Sequence, residues 1–228
     1  MSMKSAGEMT YAPQRRASAT RLLSRLRLTG GGTDGNQQLT ALIGVVLTVL
    51  LLVIGVTIVR IGQLMSVHLF VGLVLIGPVG AKLASTGYRF FRYYTNDAAY
   101  RRKGPPEWYL RLSAPVLVLS TLAVFVSGVV LLFVGPANRG QLGLIHKLSF
   151  FLWAAVFAVH FLGHLPEMPT SLRAVRRAYG ARANGTPGDA GRWITLAGAL
   201  VAGVVLALVL LPQFSAWTAA GGSPHHHH

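Results

Sequence analysis

Five long apolar runs with almost no charge divide this chain, at residues 40–59, 66–88, 112–134, 142–166 and 193–211. A helix needs about 20 apolar residues to cross the hydrocarbon of a bilayer. Backbone polar groups there must be satisfied within the segment, so each run is expected to be helical. Of the 228 residues, 52% are hydrophobic and 12% charged, far from the balance of a soluble globular domain. The expected fold is all-α: an integral membrane bundle of five transmembrane helices over residues 40–212, with tails at 1–38 and 213–228.

Charge sits between the runs. The chain carries a net charge of +15, but its Arg and Lys residues gather in the hydrophilic links and form no patch on a polar domain, so nucleic acid is not the expected partner. Residues 1–38 are basic, rich in Ser, Gly and Arg, and end in a GGGTDG linker, the composition of a disordered tail. Within them TRLLSRLRL sets leucines between Arg21, Arg25 and Arg27. It reads as a solvated basic tail that fixes topology, or as a short amphipathic turn on the membrane surface. The charged region is too long for a cleaved secretory signal, and no small-residue cleavage site follows it. The links at 89–111 and 167–192 are rich in Arg, including Arg173, Arg176, Arg177, Arg182 and Arg192, whereas those at 60–65 and 135–141 carry little positive charge. The positive-inside rule then places the N-terminus in the cytoplasm of a bacterial cell and the C-terminus outside. Cysteine is absent. That excludes disulfides, thiolate-held iron–sulfur clusters and thioether-attached haem. The His225 to His228 run resembles a purification tag.

The fourth run, LGLIHKLSFFLWAAVFAVHFLGHLP, contains His146, His160 and His164. An ionisable ring inside a membrane normally has a partner or a function. At 100° and 1.5 Å per residue, His160 lies about 40° from the azimuth of His146 and roughly 21 Å farther along the axis. One helix thus offers imidazoles to the same neighbours at two depths. The second run contains His68 near its start, Gly72 one turn later, a Gly77-Pro78-Val79-Gly80 sequence where a kink is expected, and Lys82.

The topology pairs two of these rings. Runs two and four both start at the outer face, so His68 and His146 lie at matching depth on parallel helices. Two neutral imidazoles on opposite sides of an iron make a six-coordinate b-type haem, a centre suited to moving electrons. The bundle is therefore expected to have a four-helix haem-binding core with His68 and His146 as axial ligands. Gly72 leaves a bare helix face against which the macrocycle could pack, or else serves helix–helix packing, as small residues often do in membranes. In the fifth run Gly198, Ala202 and Gly203 offer a small-residue stripe. Taken singly, either histidine could instead sit among lipid headgroups.

In the inner half, His160 is matched on run two by Lys82, fourteen residues past His68. Three readings stand: a second haem ligated by His160 and Lys82, a proton or quinone site, or a snorkelling lysine without chemistry. His160 and His164 project from one helix face and cannot grip one haem from both sides. No further Cys, Asp or Glu in the run completes a small-metal site with them.

Two histidines separated by thirteen residues on one span, with a partner histidine on another, resemble the membrane cytochrome b subunits of formate dehydrogenases and nickel–iron hydrogenases, and related bacterial cytochrome b proteins. The stretch KLASTGYRFFRYYTNDAAYRRKGPP, followed by APVLVLSTLAVFVSGVVLLFVGP and then HKLSF, is similar to actinobacterial membrane proteins of that kind. The resemblance covers about residues 40–170. It implies an outer haem between His68 and His146. It also implies an inner haem on His160 with a partner histidine from span one, where this chain has none. The family role it implies is electron transfer between the quinone pool and an oxidoreductase outside the membrane, of molybdenum type. From a different class, a non-redox scaffold or assembly subunit binding lipid and partner helices stays open. The Tyr- and Arg-rich stretch 89–102 suits anionic headgroups under either reading.

Overall fold

The computed structural model describes residue 30, residues 32–101, 108–164 and 188–221, and the single positions 169, 173 and 176. Among the described residues it is an all-α bundle without strands. Its helices are α1 (Gly32–Val59), α2 (Met65–Tyr94), α3 (Ala98–Arg101), α4 (Trp108–Val134), α5 (Gly140–His164), α6 (Asp189–Val209) and α7 (Phe214–Gly221), the last two joined by a 3-10 turn, Leu211–Gln213. Five of them, α1, α2, α4, α5 and α6, are long and apolar enough to cross a membrane. Their outer faces are hydrocarbon-like: Leu52 and Leu119 are each 67% exposed and Phe151 66%. In water such a surface would aggregate; in a bilayer it is solvated by lipid.

The helices run past the apolar segments at several ends. The first begins at Gly32, so part of the expected linker is helical, because Asp34 in its first turn suits the positive end of the helix dipole. The second continues to Tyr94, into the expected loop, where Asp97 ion-pairs with Arg92 and accepts from the Ala99 amide at 2.9 Å. Pro115, expected in the first turn of the third span, lies two turns inside α4, which starts at Trp108. The α4 helix ends where Gly135 takes a left-handed φ of +79° and donates its amide to Leu131 at 3.0 Å. The segment TRLLSRLRL, Arg177, Arg182, the side chain of His164 and the terminal histidines lie outside the described residues.

Two packed units make the bundle: α1, α2 and α6 on one side, and the α4–α5 hairpin on the other. The first is held by a backbone-to-backbone crossing. A Cβ at Gly77 would fall 1.9 Å from the Ala199 carbonyl oxygen, and one at Gly203 would fall 2.2 Å from that of Val74. The fifth-span stripe is thus Ala199, Gly203 and Ala207. Only Gly203 of the expected set belongs to it: Ala202 is exposed and a Cβ on Gly198 would meet nothing within 4 Å. The crossing angle selects positions four apart, which a reading of composition does not fix. Between the two units α2 and α4 touch only lightly, and a long cavity opens there.

The C-terminal end is also more ordered than a tail. Phe214 and Trp217 of α7 are buried with Leu73, Val74, Leu131 and Leu132. The Leu132 carbonyl would normally accept from residue 136, but Pro136 has no N–H. The Trp217 indole supplies the donor at 3.4 Å.

Candidate functional site

The cavity encloses about 2340 Å³ and is lined by α1, α2, α4 and α5, with Trp217 of α7. That exceeds the roughly 300–1,000 Å³ of an ordinary small-molecule pocket, so it has room for a prosthetic group and more. His68, Gly72 and His146 line it, as do Lys82 and His160. All five residues singled out in the sequence therefore face one space.

His68 and His146 are each held by a hydroxyl on the neighbouring helix. His68 Nδ1 lies 2.9 Å from Thr57 Oγ1 of α1. The Thr57 hydroxyl donates its one proton to the Ile54 carbonyl at 2.7 Å, so it can only accept from the ring. His146 Nδ1 lies 2.9 Å from Ser127 Oγ of α4, and that hydroxyl donates to Ala123 O at 2.6 Å. With each hydroxyl proton given to its carbonyl, Nδ1 carries the ring proton and Nε2 keeps its lone pair. This is the arrangement of a metal-binding histidine, whose other nitrogen donates to a fixed acceptor.

Small residues shape the space around them. A Cβ added to Gly128 would sit 3.1 Å from His146 Cε1, so the ring lies directly over this glycine. Gly72 lines the cavity, and a Cβ there would meet nothing within 4 Å. It makes no close helix–helix contact; Gly77 does that.

The opposite end of the cavity, at His160 and Lys82, repeats the pattern in part. His160 Nδ1 stands 3.1 Å from the Ser113 hydroxyl. Ser113 and Ser127 are fourteen residues apart on α4, as are His146 and His160 on the antiparallel α5. Between the two levels, α5 carries stacked rings: Trp153 on Phe157 at 4.9 Å and Phe157 on Phe161 at 5.7 Å. The Trp153 indole donates to Thr121 Oγ1 at 3.0 Å. Lys82 Nζ donates to the Thr40 carbonyl at 2.9 Å. The Thr40 hydroxyl in turn meets Ser85 Oγ at 2.6 Å, and Ser85 donates to Asn36 at 2.9 Å.

Among the described residues, no three His, Cys, Asp or Glu side chains converge on a point. A bis-imidazole haem needs only two, because the porphyrin supplies the other four nitrogens. The chain matches no family model, no curated protein and no solved structure.

Thr57, Ser127, Ser113, Gly128 and Trp217 were not singled out as site residues by the sequence. The serines did leave a signal: their fourteen-residue spacing mirrors that of the histidines they hold.

Proposed function

We propose that this protein is a bacterial membrane b-type cytochrome that relays electrons through one haem b held between His68 and His146 near the outer face of the cytoplasmic membrane. The observation that carries this is the pair of hydroxyl-locked imidazoles, on parallel helices, lining one cavity of haem-accommodating size. The donor set suits it: two nitrogen ligands, no cysteine in the chain, and no third His, Asp or Glu beside them among the described residues.

A haem with both axial positions taken by imidazole supplies a one-electron couple and leaves no open position for oxygen. The chain's own groups do the rest. Thr57 and Ser127 orient the rings and fix their tautomers. Gly72 and Gly128 keep the cavity wall flat. Arg139 and Lys147 line the same end and are the cations that the haem carboxylates would meet. Trp217 lines the cavity as well, its indole held by the Leu132 carbonyl.

Loop charge places the N-terminus in the cytoplasm and α7 outside. The redox partners are then quinone within the membrane or an extracytoplasmic oxidoreductase, the molybdenum type being the one the family resemblance implies. For His160 and Lys82 the sequence leaves open a second haem, a quinone or proton site, or a snorkelling lysine without chemistry.

Absorption spectra of the detergent-purified protein, oxidised and then reduced, test the reading. A sharp Soret band with resolved alpha and beta bands is expected, abolished by His68→Ala and by His146→Ala and unchanged by His164→Ala. Loss of about half the haem in His160→Ala would establish a second site. A colourless, fully folded preparation would overturn the relay and leave the non-redox scaffold.

A further inference from the structure

The inner end of the cavity carries charge that the haem site does not use. Lys82, Arg89 and Arg111 line it, together with Gln37, Tyr93, Tyr94 and Tyr100, and no Asp or Glu is among the lining residues. The cations of this region fall into two sets. Arg92 and Arg101 do not line the cavity and are already answered by Asp97 and Asn96. On the cavity side, Arg111 donates to the neutral Tyr94 hydroxyl at 3.0 Å and Lys82 to a neutral carbonyl at 2.9 Å. Three cations at the mouth of a hydrocarbon-walled space, with no described anion among them, call for an anionic head on an apolar body.

Above this mouth the wall is aliphatic: Val45 and Leu51 of α1, Val79 of α2, and Val118 and Leu119 of α4. A quinone would leave the three charges unanswered. A porphyrin would find His160 but no second imidazole, since α1 offers Gly44 and Thr48 at this level and the Lys82 amine is engaged with Thr40.

We infer that the inner end of the cavity binds one anionic phospholipid, its phosphate held by Arg89 and Arg111 and its acyl chains lying along α1 and α4. Arginine forms paired, charge-assisted bonds to phosphate oxygens, and phenols beside them complete the donor set.

Delipidated protein in detergent is titrated with phosphatidylglycerol and with phosphatidylcholine, and bound lipid is counted by native mass spectrometry. Phosphatidylglycerol is expected to bind at least about fivefold more tightly, and Arg89→Gln with Arg111→Gln to lose on the order of 25-fold, about fivefold per arginine. Arg101→Gln, on the same side but off the cavity, keeps the selectivity. Three results would overturn the inference. They are equal binding of the two lipids, damage by Arg101→Gln equal to that by the pair, and two haems per chain in a haemochrome assay with the paired variant losing one. Phosphatidylglycerol selectivity in a colourless preparation would remove the electron relay and leave the lipid site standing.

Discussion

His146 Nδ1 lies 2.9 Å from the hydroxyl of Ser127 on the adjacent helix, and the serine's own proton is committed to the Ala123 carbonyl. The hydroxyl then accepts from Nδ1, and Nε2 is left as the basic nitrogen of the ring. The same relationship joins His68 to Thr57. In a membrane interior this holds an imidazole neutral and oriented without a carboxylate, which would be expensive to bury there.

Removing that acceptor should loosen the cofactor without unfolding the bundle. Ser127→Ala and Thr57→Val are each expected to weaken haem retention about 10–100-fold, as loss of an outer hydrogen bond to a ligating histidine does. Haem transfer to an apo-globin acceptor measures it. Retention equal to the wild type in both variants would show that the hydroxyls do not position the ligands.

Glycines at the cavity should divide by what their missing Cβ would touch. Gly128→Ala places a methyl 3.1 Å from His146 Cε1 and must displace the ring. A broadened reduced spectrum or a shifted reduction potential is expected. Gly72→Ala, with nothing within 4 Å, should leave thermal stability unchanged, whereas Gly72→Phe should fold but bind less haem. If Gly72→Phe carries a full haem complement, the macrocycle does not lie there.

The crossing of α2 and α6 tolerates no side chain. Gly77→Leu or Gly203→Leu would drive carbons into the Ala199 or Val74 carbonyl, and a loss of at least about 1–3 kcal/mol is expected from overpacking. Gly198→Leu, in open space, should be neutral. Thermal unfolding in detergent separates the three; equal melting temperatures would mean the helices do not meet at these glycines.

The last helix should come away without the bundle. Trp217→Ala removes the donor to Leu132 and one wall of the cavity. Proteolysis after residue 213 should then accelerate, and haem loss with it, while the five long helices keep their circular dichroism. Unchanged proteolysis would show that Trp217 does not anchor α7.

Hydrophobic run lengths sufficed for the five spans, because a bilayer forces every backbone bond inside the segment. Helical periodicity likewise put His146 and His160 on one face. Run length could not show that α1 begins in a glycine linker, that α7 folds back on the bundle, or that Gly203 packs while Gly198 does not. Those outcomes depend on which faces meet, and apolar residues on all sides of a membrane helix leave that choice unmarked. The hydroxyl partners of the histidines lay in the sequence as a repeated fourteen-residue interval. Only the antiparallel register of α4 and α5 gave that interval meaning, since a hydrogen bond needs both partners at one height and one azimuth.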